Sequence, residues 1–378
     1  MQTEEVPNRY LGNGVPSKIT TLRTQENWNN WKWQIENRIT SSDDLSSTFG
    51  EHVGGEVSVA ASKFPMAITP YYASLIRSFD QSDPVYRMSV PAAGELFDPP
   101  FLSDDPLHED EESPLEGLVH KYRNRALLIS TSICSMYCRY CTRKRVTGQS
   151  EHSCSKANLD NWVGYLRQHP EITDVIVSGG DPFTMATPKL DGILTAIRSV
   201  ETVEVIRIGT RTPVVLPMRM DLELVDMLKK HHPIWVNTHF NHPNEVTPES
   251  AKALAMLADA GIPLGNQSVL LKGVNDDPLV MESLCRKLIK MRVRPYYIFL
   301  VDKVRGTNHF QTKVDVGLDI MRHLHKSIGG IGIPTLVVDL PEGGGKVRMS
   351  PNYVVGRNDD QILFQSQFGK VVNYHDGD

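Results

Sequence analysis

The sequence predicts an α/β protein built on a mostly parallel sheet. Short apolar runs, often β-branched, alternate with segments of helical period, and this alternation occurs about six times. The apolar runs lie near 126–130, 174–178, 203–208, 234–237, 264–271 and 294–301, and the helical segments lie near 157–168, 187–199, 220–231, 248–260, 279–291 and 314–327. Such alternation requires right-handed crossovers between parallel strands. The pattern leaves open whether the sheet is doubly wound or curled into a barrel.

Composition places the chain among ordinary globular proteins. Of its 378 residues, 40% are hydrophobic and 22% are charged, which is enough apolar material for a sizeable core. The formal charge of -5 disfavours binding to nucleic acid. The sequence has no run of ~20 apolar residues for a membrane span, and its polar start differs from a signal peptide. We therefore expect a cytoplasmic protein with neither nucleic-acid nor membrane partners.

The residues before the alternating pattern predict a helical accessory region. A polar stretch interrupted by Pro and Gly predicts a flexible lead-in over 1–25. In the accessory region 26–115, apolar residues spaced three or four apart from Trp28 to Ile39 describe one face of an amphipathic helix. The acidic stretch Asp104–Glu112, with prolines in and after it, predicts a solvent-exposed linker.

Three of the five cysteines, Cys134, Cys138 and Cys141, lie together just after the first apolar run. Thiolates bind soft metals, and an iron–sulfur cluster needs sulfur ligands that one short loop can wrap around it. Neither a fourth cysteine nor a histidine is adjacent, so one iron would stay open to a small molecule. A zinc-binding loop is the alternative. Because Cys154 and Cys285 are scattered, the cysteines indicate a reducing compartment rather than a disulfide framework.

Further motifs accompany this CxxxCxxC loop. They are CTRKR at 141–145, SGGDP at 178–182, IGTRTPVVLP at 208–217, THFNHPNE at 238–245 and GGGK at 343–346. In this order they resemble the motifs of the lysine 2,3-aminomutase family of radical S-adenosylmethionine enzymes, over about residues 28–355. The resemblance implies an incomplete (β/α)6 barrel over 116–330 with the cluster loop after its first strand. The helical accessory region would precede this barrel, and a short C-terminal extension over 331–378 would follow it. Ligands at the carboxyl ends of the strands suit such a barrel.

The resemblance implies three cofactors: a [4Fe-4S] cluster on the three cysteines, S-adenosyl-L-methionine and pyridoxal 5'-phosphate. Gly179 and Gly180 lack side chains and let backbone groups approach a ligand, although a plain turn would look similar. With Asp181 they match the family motif that meets the amino group of S-adenosyl-L-methionine. His239 and Gln267, near the ends of later strands, match positions lining the same cofactor. Polar residues at a barrel rim are the alternative for these two.

The GGGK segment resembles the family's attachment site for pyridoxal 5'-phosphate. Three glycines make a permissive backbone, and lysine forms Schiff bases with this cofactor. Lys346 is therefore the candidate catalytic residue, with a solvated surface lysine as the alternative. Arg125, at the start of the first predicted strand, matches a phosphate-contacting arginine of the family. A salt bridge between domains would also explain Arg125.

Three further residues match family positions that bind the substrate. Arg143 suits bidentate pairing with a carboxylate, and a structural ion pair is the alternative. Asp302 and Asp339 follow predicted strands and match residues that bind a distal ammonium, whereas each alone could be a helix cap or turn residue. Two close carboxylates select a cationic side chain and reject glutamate. The neighbouring cations Lys303 and Arg305 could instead neutralise Asp302 internally.

We interpret the sequence as an aminomutase that moves the α-amino group of a cationic amino acid, in the first place L-lysine, to the neighbouring carbon. Arginine is an alternative substrate, and so is a lysine carried by a protein partner. A non-catalytic iron–sulfur or zinc protein is a further alternative. The expected partners are a small-molecule amino acid, a one-electron reductant of flavodoxin or ferredoxin type, and further copies of the chain in a homo-oligomer. One departure from the family is Tyr140, which stands where many members have histidine.

Overall fold

A mixed sheet of nine strands forms the centre of the protein, and its strands follow one another in chain order. The strands are β1 (Leu118–Tyr122), β2 (Arg125–Thr131), β3 (Asp174–Gly179), β4 (Val205–Gly209), β5 (Ile234–Thr238), β6 (Leu264–Leu270), β7 (Arg294–Leu300), β8 (Thr335–Leu340) and β9 (Gly345–Met349). Strands β2 to β8 are parallel, whereas β1 and β9 pair antiparallel at the two edges. The sheet is a half-barrel whose parallel strands all end on one side.

The computed structural model describes residues 26–358 and 360–376, so the predicted lead-in over 1–25 lies outside the described residues. Short helices precede the sheet: α1 (Trp31–Glu36), α2 (Ser42–Phe49), α3 (Gly55–Lys63), α4 (Pro70–Ala73) and α5 (Pro84–Ser89). Further helices alternate with the strands: α6 (Lys156–Gln168), α7 (Thr187–Arg198), α8 (Thr212–Val215), α9 (Leu222–Lys229), α10 (Pro248–Asp259), α11 (Pro278–Lys290) and α12 (Val314–Ser327). A small antiparallel sheet follows: β10 (Val354–Arg357), β11 (Gln361–Gln365) and β12 (Val371–His375).

The predicted six strand–helix units are confirmed. Strands β2 to β7 are each followed by a helix that returns the chain to the next parallel strand, and only the short α8 adds to the predicted set in this part. Polar caps mark where these helices begin. The side chains of Ser155, Thr247 and Asp277 accept hydrogen bonds from backbone N–H groups of the first turns of α6, α10 and α11. Within the described residues, no helix has both the length and the apolar character needed to cross a bilayer.

The first helix is shorter than the sequence predicted. Helix α1 ends at Glu36, and the backbone N–H of Asn37 caps it by donating to carbonyls of the last turn. Ile39 lies beyond this cap and pairs through its backbone with Ile68 at 2.8 and 3.0 Å. Trp28 belongs to a preceding 3-10 turn. The single helical face from Trp28 to Ile39 is therefore wrong at both ends, because local capping and a backbone bridge override the apolar spacing.

Two strands at the carboxyl-terminal edge extend the predicted barrel. Strand β8 adds to β7 in parallel, and β9 returns beside it, so GGGK spans the end of a hairpin turn and the first two residues of β9 rather than an open loop. Gly343 and Gly345 have φ angles of 71° and 78°, a left-handed conformation that glycine adopts without a steric penalty. This pairing places Lys346 directly opposite Asp339.

A buried carboxylate, Glu95, joins the N-terminal helices to the loop that carries the three cysteines. It accepts hydrogen bonds from Arg139 Nε and Nη2 at 2.9 and 2.6 Å and from Lys144 Nζ at 2.9 Å. Arg139 also donates to the carbonyls of Phe64 and Pro65. Burial by itself raises the pKa of Glu95, but the two cations outweigh burial and leave that pKa below its ordinary value. The cysteine loop is thus held by residues that precede the barrel.

We expect Glu95→Gln to destabilise the protein, because Arg139 and Lys144 would stay buried without a counter-charge. Removing one partner of a buried ion pair costs about 3–5 kcal/mol. Urea unfolding followed by circular dichroism measures this loss. Asp319→Asn, which removes the exposed pair with Arg322, is the control and should cost about 0–1 kcal/mol. Equal losses in the two variants would contradict this role.

The same carboxylate predicts how stability depends on pH. Because the folded-state pKa of Glu95 is lowered, its contribution is fully present above the pKa of the unfolded chain. The contribution is lost as the pH falls through the lowered value. The parent should therefore lose more stability than Glu95→Gln when urea unfolding is repeated at acid pH.

Candidate active site

The carboxyl ends of the parallel strands surround two adjoining cavities. The first has a volume of about 330 Å³ and the second about 390 Å³. The residues that line both are Leu107, Arg143, Ser178, Gly209, Asn237, Gln267, Phe299 and Asp339. Because these walls are shared, groups bound in the two cavities would lie next to each other.

The first cavity contains the cysteine motif. Cys134, Cys138 and Cys141 all line it, and none of them forms a disulfide. Burial raises the pKa of the Cys134 and Cys141 thiols; Asp181 raises that of Cys134 further, and the nearby Cys138 thiol raises both. Such buried thiols become thiolates when a metal compensates the charge. Three free thiols on one wall, without a fourth cysteine beside them, fit a [4Fe-4S] cluster with one open iron.

A single-ion site would need a different arrangement. Structural zinc takes four ligands at about 2.0–2.3 Å around one point. In residues 26–358 and 360–376, no three His, Cys, Asp or Glu side chains converge in a way that could hold a metal ion.

Gly179 and Gly180 bring the end of β3 against the cysteine loop. A Cβ on Gly179 would lie 2.5 Å from the carbonyl oxygen of Thr131, and one on Gly180 would clash with that of Ile133. The Gly180 N–H donates to Thr131 O at 2.5 Å. Both glycines line the first cavity as expected, but the close approach that requires them is between two stretches of backbone. Contact with a cofactor stays a prediction.

The Asp181 carboxylate is engaged within the protein. Its Oδ1 accepts from the Thr210 hydroxyl at 2.6 Å and the Phe183 N–H at 3.1 Å, and Oδ2 accepts from the N–H groups of Arg211 and Thr212 at 2.7 and 2.9 Å. Burial nevertheless raises the pKa of Asp181. Four donors thus occupy this carboxylate and tie it to the turn after β4, while its predicted contact with the cofactor stays a prediction.

Tyr140 links the cysteine loop to the ends of β5 and β6. His239 Nδ1 lies 2.5 Å from the carbonyl oxygen of Gln267, which can only accept, so Nδ1 carries the proton. The Tyr140 hydroxyl then donates to His239 Nε2 at 2.9 Å and accepts from the Asn241 amide at 2.6 Å. Burial, followed by the charge of Arg211, lowers the pKa of His239 to about 3, so the ring is neutral. His239, directly after β5, and Gln267, in the middle of β6 rather than near its end, both line the first cavity, and their contact with the cofactor stays a prediction.

The second cavity is lined by two lysines, Lys346 and Lys121. Lys346 Nζ lies 2.7 Å from Asp339 Oδ2 and 4.0 Å from the centroid of the Phe299 ring. The lysine is therefore held by a carboxylate beside an aromatic wall, which contradicts the alternative of a solvated surface lysine. Lys121 instead donates to the carbonyl of Leu107 at 3.0 Å.

Arg125 lines the same cavity. Its guanidinium lies 4.0 Å from the centroid of the Tyr122 ring, and no carboxylate of the described residues pairs with it. The described residues thus give no support to the alternative of a salt bridge between domains. An amine, an aromatic wall and an unpaired guanidinium are groups that suit pyridoxal 5'-phosphate, which has an aldehyde, a ring and a phosphate.

Arg143 lies between the two cavities and pairs with Glu109. Its Nε and Nη2 donate to the two carboxylate oxygens at 2.9 and 2.5 Å, whereas Nη1 has no hydrogen-bond partner in the part of the chain that the structure describes. The Glu109 side chain is 8% exposed, and other acids of its segment bind Arg145. The predicted solvent exposure of Asp104–Glu112 is therefore wrong at Glu109, which is buried against Arg143, whereas Asp104, Asp110 and Glu111 are exposed.

Asp302 and Asp339 line the first cavity near the ends of β7 and β8. The Thr142 hydroxyl donates to Asp302 Oδ2, while Oδ1 is buried without a partner among the described residues. Burial raises the pKa of Asp302 to about 6, and the charge of Asp339 contributes to the rise. The side chains of Lys303 and Arg305 contact other groups, so neither forms an ion pair with Asp302. The site thus holds a carboxylate that a cation could neutralise.

Sequence reasoning assigned no role to Arg211 or Glu109, although both contact the site. Arg211 belongs to the quoted motif at 208–217, and its Nη1 lies 2.7 Å from Cys138 Sγ. That motif could have pointed to Arg211 from the sequence. No sequence pattern points to Glu109, because its partner Arg143 is 34 residues away in the chain.

Comparison with known proteins identifies relatives over nearly the whole chain. The model of the Radical SAM superfamily matches residues 128–282, and that of Lysine-2,3-aminomutase matches residues 321–378. The L-lysine 2,3-aminomutase of Clostridium subterminale is 48% identical over 351 residues, which cover 92% of this chain and 84% of that protein. The L-lysine 2,3-aminomutase of Acetoanaerobium sticklandii is 47% identical over 368 residues, with 96% and 88% covered. The glutamate 2,3-aminomutase of Clostridioides difficile is 43% identical over 356 residues, with 93% and 84% covered.

We expect anaerobic reconstitution to load one [4Fe-4S] cluster per chain on Cys134, Cys138 and Cys141. Alanine at any of these positions removes one of three sulfur ligands, so the cluster and the reductive cleavage of S-adenosyl-L-methionine should both be lost. Iron and sulfide analysis and chromatography of 5'-deoxyadenosine measure the two losses. Cys154→Ala and Cys285→Ala, which lie outside the cavity, are controls that should retain both. A full cluster with normal cleavage in Cys138→Ala would refute the assignment.

We expect pyridoxal 5'-phosphate to attach to Lys346. Borohydride reduction should make this bond permanent, so that peptide mapping by mass spectrometry finds the pyridoxyl group on Lys346. Lys346→Ala should remove the label. Because Lys121 lines the same cavity, it is the internal control. A label on Lys121, with Lys346 unmodified, would rule out the attachment site.

Proposed function

Because this chain belongs to the lysine 2,3-aminomutase family, we propose that it moves the α-amino group of L-lysine to carbon 3 and so forms a β-amino acid. Family membership makes the chain a radical S-adenosylmethionine isomerase. The proposal concerns the substrate and the residues that bind it. The observation that supports lysine is the pair of carboxylates, Asp302 and Asp339, on the wall of the cavity that also holds the cysteines.

The cofactors supply the radical and the conjugated ring through which nitrogen migrates, and the protein supplies their placement. Cys134, Cys138 and Cys141 would hold the cluster. Lys346 and Arg125, which both line the second cavity, would hold the aldehyde and the phosphate of pyridoxal 5'-phosphate. Since the two cavities share a wall, the substrate's reacting carbon can lie between these groups.

Arg143 is suited to bind the substrate carboxylate. Glu109 occupies the Nε and Nη2 positions of the guanidinium, and Nη1 stays available at the boundary of the two cavities. A structural ion pair and substrate binding are therefore compatible, because an arginine carries five N–H donors. The pair with Glu109 removes rotational freedom from Arg143 before the substrate arrives, which lowers the entropy cost of binding.

Asp302 and Asp339 are suited to bind the distal ammonium of lysine. Lys346 now neutralises Asp339, with 2.7 Å between Nζ and Oδ2. Pyridoxal 5'-phosphate bound through Lys346 would replace this ammonium, which would leave Asp339 open to an incoming cationic side chain. A cation between them would offset the burial and repulsion that raise the pKa of Asp302.

The same charges argue against an acidic substrate. The side chain of glutamate would bring a third negative charge beside Asp302 and Asp339, which costs binding free energy. Arginine is the remaining competitor, because its planar guanidinium can bridge two carboxylates. Lysine is favoured over arginine by the similarity of this chain to the two L-lysine 2,3-aminomutases. The reductant of flavodoxin or ferredoxin type, the homo-oligomer and the cytoplasmic location stay predictions.

We expect the double variant Asp302→Asn/Asp339→Asn to lower kcat/KM for L-lysine by about 100-fold or more. Two hydrogen bonds to a charged group, each worth about 1.5–3 kcal/mol, would be lost. Anaerobic assays with lysine, arginine and glutamate, read by mass spectrometry and NMR, measure the change. Cluster content and pyridoxal occupancy should stay unchanged, which separates loss of substrate binding from loss of cofactors.

A matched control for the double variant is Asp277→Asn. Asp277 caps α11 outside both cavities, and asparagine caps helices as well as aspartate does. This control should keep the activity of the parent. If the double variant isomerised lysine as well as the parent does, or if the parent preferred glutamate, the lysine proposal would be abandoned.

A further inference from the structure

Arg211 is a buried cation in direct contact with one of the three cysteines. It stands in the turn between β4 and α8, inside the motif at 208–217, and its side chain is 8% exposed. Its Nη1 donates to Cys138 Sγ at 2.7 Å. The guanidinium also lies between two aromatic rings, 5.5 Å from the centroid of Tyr72 and 5.6 Å from that of Tyr140.

A second contact fixes where Arg211 points. Its Nη2 donates to Glu245 Oε1 at 2.7 Å, and the Glu245 side chain is fully buried. The Tyr72 hydroxyl also donates to Oε1 at 2.8 Å, and the N–H groups of Asn241 and His242 donate to Oε2 at 2.6 and 2.8 Å. Since four donors hold the carboxylate, the carboxylate in turn holds the guanidinium against the sulfur.

The use of arginine at this position has a physical reason. One planar guanidinium can donate to a sulfur and a carboxylate at once, whereas the compact ammonium of lysine is a point charge without that fork. Arginine also keeps its charge under all conditions in which a protein is folded. A structural pair with Glu245 alone would leave the contact with Cys138 unexplained.

We propose that Arg211 raises the reduction potential of the cluster held by Cys134, Cys138 and Cys141, and that Glu245 limits this rise. Hydrogen bonds to cluster sulfurs, nearby charge and burial set the potential of an iron–sulfur cluster. A fixed positive charge and an N–H donor at Cys138 Sγ favour the state with one more electron. In that step one electron passes from an external one-electron reductant, which is oxidised, to the cluster, which is reduced, and Arg211 keeps its proton throughout.

This inference depends on the cofactor and not on the identity of the substrate. Arg211 acts through Cys138, so it is a positioning residue rather than a catalytic one. Its effect should appear in the reduction potential of the reconstituted protein without any amino acid present. A failure of the lysine proposal and a failure of this one are therefore distinguishable.

The test is a redox titration of the anaerobically reconstituted holoenzyme, followed by EPR spectroscopy. Arg211→Met/Glu245→Gln removes the cation and the anion together, and so avoids an unpaired buried charge. Its potential should shift in the negative direction, with the reduction equilibrium lowered about tenfold, which is about 59 mV for one electron. Glu245→Gln alone leaves Arg211 uncompensated beside the sulfur, so its potential should shift in the positive direction.

The matched control is Arg219→Met. Arg219 is also buried but donates to the carbonyls of Phe183 and Met185, away from the three cysteines. The reduction potential of this variant should therefore equal that of the parent. If the double variant does not load a cluster, the positive shift in Glu245→Gln decides the question. Potentials equal to that of the parent in every cluster-loaded variant of Arg211 and Glu245 would overturn the proposal and leave Arg211 with a purely structural role.

Discussion

The shape of the site depends on the ion pairs of the buried Glu95 carboxylate. Glu95 lies in a turn before the barrel, yet it pairs with Arg139 and Lys144 of the loop that carries the cysteines. Further backbone contacts act in the same direction, since the N–H groups of Tyr137 and Arg139 donate to carbonyls of the N-terminal helical region. A buried carboxylate with two cationic partners is costly to disrupt, so the loop keeps one conformation. The N-terminal helical region therefore fixes the conformation of the loop that carries the cysteines.

The sheet supplies the second constraint. Parallel strands end on one side of the half-barrel, which gathers residues from distant parts of the chain around two adjoining cavities. At one edge the hairpin of β8 and β9 brings Lys346 opposite Asp339. Near the other edge, the glycines after β3 allow its backbone to contact the cysteine loop. The residues proposed to hold the cluster and those proposed to hold pyridoxal 5'-phosphate are thereby positioned by the same sheet.

The charges of the site are arranged in cation–carboxylate pairs. Each of three cations is held by one carboxylate: Arg143 by Glu109, Arg211 by Glu245 and Lys346 by Asp339. In each case the carboxylate comes from a different element of the fold, and the cation faces a cavity. Such pairs orient the cation before a ligand binds, which reduces the entropy lost on binding. Asp302 is the exception, because it lines the cavity without a cationic partner among the described residues.

The sequence by itself determined the alternation of strands and helices and the local chemistry of the motifs, while the choice of a barrel over a doubly wound sheet came from the family resemblance. Alternating periods located the six strand–helix units, because the apolar period of a strand or helix is a local property. The spacing of Cys134, Cys138 and Cys141 indicated the cluster for the same reason. Only the tertiary structure decided that Glu109 pairs with Arg143, that the N–H groups of Arg211 and Thr212 donate to Asp181, and that Arg211 contacts Cys138. These residues lie 30 or more positions apart in the chain, and the free energy of burying each charge depends on which partner the fold brings to it.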